Sequence, residues 1–442
     1  MIYVFPLETY ARELPWRVHF ACYILEYYPN AQVYIAETSK AVDIACMLGS
    51  NCVFIGKHIF SVVKKKEASY FYRLQKNGVK IIFVEEEGGL NLKGDCKLDS
   101  EIWKKRCPYD LIGIDSVTTV HWGEYQMYLT RELYGGSKSY HFVGGAPSID
   151  SCIISSRVNS TELIYASSPE IAVMSNGGLG TIFTSIEDYY DFYLSRSDSI
   201  SIFKAKSSYL ASEIKLFQEM ELIRSLIDDN HYEFRLHPGL AHLSPKHNSK
   251  YSLSNTTTVP INDFLDGKKL LVHDGCTTSV QAFFMDIPTI SISSGHQVVS
   301  IGDYYPANER SKIYQDISDN GYSPLLNRNF ELPKLFSDLI HNQKGKLNCF
   351  STLIEICNIL HLGDKEKIPT SSIDKYLQLR SISYCAKNQL RSIAHGKFSH
   401  FIPADIAKFI EQWQRYSNLE QRPSFKYHFR HIGVLAVKIW RS

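Results

Sequence analysis

No stretch of this sequence stays apolar for the roughly 18 residues that a membrane span requires. Even the apolar start is broken by Glu8, Arg12 and Glu13. No basic segment precedes residues 1–7 and no small-residue cleavage site follows them, so no secretory leader is expected and a cytoplasmic location is. The ten cysteines contain no C-x-x-C pair, which argues against a disulfide framework or a zinc site and for small buried side chains. Charge of one sign is missing too. Forty-eight Lys and Arg stand against 46 Asp and Glu, so no global basic field exists to hold phosphates in a row, and nucleic acid is not an expected partner. The chain has no G-x-x-x-x-G-K-[ST], no dinucleotide fingerprint, no G-x-S-x-G, no H-E-x-x-H and no Asp-x-Asp. These absences speak against P-loop NTPases, classical dehydrogenases, α/β-hydrolases and zinc proteases, and no cofactor or metal is expected.

What is present is an alternation of short apolar runs and amphipathic segments, the pattern of repeated βα units around a parallel sheet. Strands are expected at Ile2–Phe5, Gln32–Ala36, Cys52–Ile55, Val79–Val84, Leu111–Ile114 and Thr118–His121. Helical spacing marks Leu14–Tyr28, Ala41–Leu48, Ala68–Lys76 and Glu124–Tyr134. A second alternation starts near Glu170, with strands at Ile171–Ser175, Tyr232–Leu236, Leu270–His273 and Thr289–Ile292 and helices at Leu210–Asp229 and Thr277–Met285. The expected organisation is a Rossmann-like lobe over 1–150, a Ser-rich linker over 151–169, a second Rossmann-like lobe over 170–332, and a helical extension over 333–442 with a basic aromatic tail from Phe425 to Ser442. Two such lobes place ligand sites at the C-terminal ends of their strands.

Three segments of the second lobe carry groups suited to a phosphate. Strand Tyr232–Leu236 holds Arg235 and runs into His237 and Pro238, a donor at a fixed turn. Strand Leu270–His273 runs through Gly275 into Thr277, Thr278 and Ser279, with Gln281 following, where free N–H groups and hydroxyls open a helix. The Gly-rich stretch Asn176, Gly177, Gly178 follows the lobe's first strand and offers backbone amides. Each alone has a plainer explanation: a packed His, a hydroxyl helix cap, a loop. Together and in this order they predict a nucleotide-phosphate pocket. In the first lobe, Glu85, Glu86 and Glu87 end a strand, either as a solvated acidic turn or as a carboxylate cluster suited to acid or base work.

Several short motifs, taken in order, resemble the bacterial surface carbohydrate biosynthesis family, which is related to the retaining β-Kdo transferases of capsule and O-antigen assembly. Pro6–Leu14, with Glu8 and Arg12 in place, is similar to its start; Glu85–Gly88 to its acidic turn; Trp122–Gly123 to its W-G; and Gly144–Asp150 to its G-N-P-R-x-D, with Gly145 and Ser148 replacing Asn and Arg. His237–Pro238 and Thr277–Ser279 resemble the elements by which GT-B enzymes hold a CMP-sugar. Gln281 stands where those enzymes often place a ribose-binding Glu.

The resemblance implies a GT-B fold and transfer of a sugar, Kdo from CMP-Kdo, onto a surface glycan or lipid-linked glycan. It assigns Asp150 as nucleophile, with the Glu85–Glu87 triplet second, Glu86 as acid or base, and Glu8, Arg12 and Trp122 to the acceptor. An inverting CMP-sialic acid transferase, a sugar-nucleotide 2-epimerase and a non-catalytic assembly scaffold are the alternatives. The tail Phe425–Ser442 mixes basic and apolar residues, as would suit either a helix on an anionic membrane or one packed against a lobe.

Overall fold

The computed structural model describes residues 1–57, 69–86, 96–107, 117–135, 140–159, 171–175, 232–236, 259–273, 278–291, 341–361, 373–376, 378, 402–423, 425–432 and 436–441. The chain divides into two compact units, Met1–Thr161 with Ser337–Ser442, and Glu162–Phe336.

In the first unit, strands β1 (Ile2–Leu7), β2 (Gln32–Glu37), β3 (Cys52–Gly56), β4 (Lys80–Val84), β5 (Thr118–His121) and β6 (His141–Val143) all run parallel, in the order β2-β1-β3-β4-β5-β6. The central strands are buried along their whole length, hence their unbroken apolar runs. Between them lie α1 (Tyr10–Tyr27), α2 (Thr38–Leu48), α3 (Tyr70–Lys76), α4 (Cys96–Arg106) and α5 (Glu124–Tyr134), followed by α6 (Pro147–Asn159). Because β2 and β3 flank β1 on opposite sides, right-handed crossovers put α1 and α2 on opposite faces of the sheet. The contacts agree: α1 packs on α6 while α2 packs on α3.

The second unit repeats this plan at smaller size. Strands β7 (Ile171–Ser175), β8 (Tyr232–Leu236), β9 (Leu270–His273) and β10 (Thr289–Ser291) are parallel in the order β10-β9-β7-β8. This unit also holds the short helices α7 (Ile261–Leu265) and α8 (Thr278–Phe284), the latter packed on β9 and β10. The expected α/β architecture of two parallel-sheet units is therefore present.

Three expectations about boundaries change. Residues 151–159 belong to α6 and not to a linker; Ser151 and Ser155 are buried, and Ser151 Oγ lies 2.9 Å from His19 Nδ1. Serines that point inward look like a linker by composition alone. The segment after 337 joins the first unit, where α9 (Asn348–His361) and α10 (Pro403–Leu419) pack on α1 and α6. The tail is not a helix: β11 (Tyr427–His431) and β12 (Ala436–Arg441) form a hairpin that pairs antiparallel on β2. Its basic and apolar residues alternate with period two, Val437 and Ile439 buried and Lys438 and Trp440 half-exposed, which fits a strand and covers the β2 edge. A membrane-lying helix in this tail is thereby ruled out. The expected strand Leu111–Ile114 and helix Leu210–Asp229 lie outside the described residues.

Buried histidines give both units an acid limit. Burial lowers His19, in the first unit, to about 3 and His273, in the second, to about 4. The fold keeps these rings neutral while the unfolded chain takes up protons below about 6.5. Stability contributed above that pH is lost as pH falls from about 6.5 toward 4, on the order of a few kcal/mol for each ring. Urea unfolding at pH 7 and pH 4.5 should show a clearly lower midpoint at pH 4.5; equal midpoints would contradict this.

Candidate functional site

Open parallel sheets bind ligands at the C-terminal ends of the strands beside the point where strand order reverses. In the first unit that point lies between β1 and β3, and the chain leaves the sheet there through Glu8, Lys57, Glu85 and Glu86. Gly56 is required at this edge because a Cβ there would lie 2.7 Å from Pro6 Cδ, so the two strand ends approach too closely for any side chain.

The first turns of α1 add Arg12, Glu13 and Arg17, forming an ion-pair network. Glu13, fully buried, accepts from Lys57 Nζ at 2.9 Å, from Arg17 Nη2 at 3.2 Å and from the Glu8 backbone N–H at 2.8 Å. Arg17, also fully buried, donates to Glu86 Oε1 at 2.9 Å and to the Pro6 carbonyl, and lies over the Trp16 ring. Trp16 Nε1 donates to the other Glu86 oxygen at 3.3 Å. Lys57 also reaches Glu8 at 3.5 Å, and Arg12 reaches Glu13 at 3.5 Å. Among the described residues of this network the rim is open: the side chains of Glu8 and Arg12 are 33% and 28% exposed. The arrangement can hold a polar ligand against Glu8 and Arg12 on a rigid, charge-balanced floor.

The expected residues separate accordingly. Glu8 and Arg12 stand at this edge as expected. Glu86 is there too, its carboxylate tied to α1 through Arg17 and Trp16. Glu85 is buried, its carboxylate near the Cys107 thiol and its carbonyl accepting from Trp122 Nε1. Glu87 lies outside the described residues. Trp122 needs correction. Its ring is 2% exposed and its carbonyl accepts from the His341 N–H, so it packs inside the unit and offers no face to an acceptor.

Asp150 is corrected as well. It is fully buried in the first turn of α6, where Oδ1 accepts from Asn342 Nδ2 at 2.7 Å and Oδ2 from the Phe350 N–H at 2.8 Å. Phe350 stands in the first turn of α9, so the carboxylate caps that helix. Burial pushes its carboxyl well up, against the pull of the Phe350, Asn342 and Cys349 donors. A side chain so enclosed has no path to an anomeric carbon. The preceding loop is equally tight: Gly145 takes φ +92 with Asn342 packed against it.

Sequence reasoning passed over Arg17 and Lys57. A usable signal was present: Glu13 and Arg17 are spaced i,i+4 on the helix that follows β1, and Lys57 directly follows β3.

In the second unit, β8, β7 and β9 are neighbours, with Ser175 paired to Leu236 and Met174 to His273. All three strands end at one edge. Asn176, Gly177 and Gly178, then His237 and Pro238, then Gly275 and Thr277 directly follow these strand ends, but themselves lie outside the described residues. Thr278, Ser279 and Gln281 are buried in α8. Arg235 is a correction to the expected phosphate contact. Its guanidinium donates to the Val259 carbonyl at 2.7 Å and lies over Phe264, so it faces the unit's core. Among the described residues no cluster of three or more His, Cys, Asp or Glu is placed to hold a metal, and no helix is long and apolar enough to cross a membrane.

No family model matches the chain, and no curated protein is similar to it. Solved structures show distant likeness. The Methanocaldococcus jannaschii UDP-GlcNAc 2-epimerase, in complex with UDP-GlcNAc and UDP, is 14% identical with a TM-score of 0.46, over 81% of this chain and all of that one. The wall teichoic acid polymerase TagF is 8% identical with a TM-score of 0.42, over 82% and 88%. The S. aureus MnaA protein with UDP is 11% identical with a TM-score of 0.41, over 83% and 99%. Likeness at this level says nothing of activity, and the architecture rests on strand order and register.

Proposed function

We propose that the protein is a glycosyltransferase that binds a nucleotide-activated sugar at the C-terminal edge of the second sheet and its acceptor at the corresponding edge of the first. One observation carries the donor assignment: β8, β7 and β9 lie side by side and end together, so the Gly-rich, His-Pro and Thr-Ser motifs leave the sheet at one edge beside its switch point. His237 with the hydroxyls of Thr277, Thr278 and Ser279 stabilises charge on the departing nucleotide. CMP-Kdo as donor, a surface glycan as acceptor and retention of configuration are the specific form supported by the motif resemblance.

In a retaining reaction a carboxylate attacks the anomeric carbon as the bond to the CMP phosphate breaks, and the acceptor oxygen then displaces that carboxylate, losing its proton. With Asp150 enclosed, this reading moves the attacking group to the acidic triplet after β4, at Glu86 or Glu87. Incubation with CMP-Kdo or CMP-sialic acid and candidate glycans, followed by mass spectrometry, tests the reading; a Kdo mass added to a glycan is expected. Hydrolysis or epimerisation of a UDP-sugar without acceptor would replace it with a different enzyme class.

The missing Asp-x-Asp carries an expectation of its own. Protein donors alone should meet the leaving-group charge, so turnover should survive EDTA. A strict requirement for added magnesium or manganese would overturn that.

A further inference from the structure

A depression of about 360 Å³ lies at the outer edge of the first sheet, on the terminal hairpin and the turn ahead of β2. It is at the N-terminal end of the parallel strands, because β12 runs antiparallel to β2 and Arg441 lies beyond the Ile439–Val33 pair at the start of β2. Among the described residues, none at the switch edge of the first unit lines it. Its size falls at the lower end of small-molecule sites, roughly 300–1,000 Å³.

The charges lining it are unbalanced. Among the described residues, Arg430 and Lys438 stand beside a single carboxylate, Asp374, which accepts from the Tyr34 hydroxyl at 3.1 Å, while Arg441 at the rim donates to the Leu25 and Glu26 carbonyls. Arg430 and Lys438 are directly opposite one another in the hairpin register. Like charges so placed destabilise a strand pair. Burial lowers Lys438 most; Asp374 pulls it back up, and the nearby Arg430 opposes that pull in part. Gln32 adds a buried Oε1 with no hydrogen-bond partner among the described residues. Trp440 supplies an aromatic wall and is held in place by stacking on His428, with ring centroids 5.7 Å apart. Two opposed cations, an amide and a fixed indole make a place for an oxyanion carried on a ring.

We infer that this depression is a second ligand site, which binds a sugar bearing a carboxylate or a phosphate: the oxyanion between Arg430 and Lys438, and the ring's C–H face against Trp440. An anion there bridges the two cations that the hairpin register sets opposite one another, and the indole selects a sugar over a bare ion.

The test uses the full chain labelled with ¹⁵N at indole nitrogens, the Trp440 signal being assigned by its loss in Trp440→Phe. The probes are N-acetylneuraminate, glucose 6-phosphate, glucose and inorganic phosphate. N-acetylneuraminate or glucose 6-phosphate should shift the Trp440 signal saturably, glucose should not, and the stronger of the two names the preferred oxyanion. Arg430→Gln combined with Lys438→Met should weaken that binding about 10- to 100-fold, the range for hydrogen bonds to charged groups, while leaving the remaining spectrum in place. No shift with either acidic sugar, or unchanged affinity in the double variant, would overturn the proposal. Inorganic phosphate binding as tightly as both sugars would do so as well, since the indole would then select nothing. No nucleotide enters the experiment, so its result is independent of the donor assignment.

Discussion

Replacing Arg17 with Met should cost the first unit about 3–5 kcal/mol, the usual loss when one partner of a buried ion pair is removed. Arg17 serves four acceptors at once: the Pro6 and Glu13 carbonyls and the Glu13 and Glu86 carboxylates. Removing it leaves buried Glu13 to Lys57 and Arg12 and leaves Trp16 to tie Glu86 to α1. Domains commonly have about 5–15 kcal/mol in total, so the change takes a large share. Arg17→Lys keeps the charge but not the planar fork, and should fall between the wild type and Arg17→Met. Urea unfolding followed by circular dichroism measures all three. A wild-type midpoint for Arg17→Met would mean that the network adds nothing to stability.

The second large effect concerns Asp150. Asp150→Ala strips the acceptor from the Asn342 amide and the Phe350 N–H, both buried. The Asn342 amide keeps the Ala146 carbonyl, so at about 1–3 kcal/mol for each unsatisfied group the expected loss lies between roughly 1 and 5 kcal/mol. Asp150→Asn keeps one acceptor oxygen and should lose less. Thermal unfolding of both variants, with turnover measured beside it, separates a structural role from a chemical one. A capping residue loses stability in both variants and keeps turnover in whatever fraction of Asp150→Asn stays folded. If Asp150→Asn instead melts like wild type and makes no product, the carboxylate is chemical and the structural assignment fails.

Most strands of both sheets were legible in the sequence because strands buried on both faces are unbroken apolar runs, as in Ile2–Leu7 and Leu270–His273. Helix α1 starts at Tyr10, ahead of the expected Leu14, and continues through Pro15, because its first turn carries Arg12 and Glu13 and adds no apolar run to mark the start. The short strand His141–Val143 and the helix Cys96–Arg106 escaped notice. The strand is only 3 residues long, and the helix carries charge over much of its surface. The hairpin Tyr427–Arg441 was hidden by composition, since its alternation emerges only once Lys438 and Trp440 are placed on one face.

At the candidate sites, motif order pointed to sheet edges but not to the setting of individual side chains. Sequence position cannot tell that Asp150 turns inward to α9, or that Arg235 turns toward Phe264. Those outcomes depend on helix α9 and the Val259–Phe264 segment, which lie far from Asp150 in sequence or carry no charge pattern of their own.

The donor assignment is tested most directly by calorimetric titration of CMP into the wild-type protein and His237→Ala. His237 follows β8 at the edge shared with β7 and β9. The wild type should bind CMP, and the variant should bind it about 1.5–3 kcal/mol more weakly, the range for a hydrogen bond to a charged group, with an unchanged circular dichroism spectrum. Wild-type affinity in the variant, or no heat with CMP in the wild type, would contradict a CMP-sugar site at that edge.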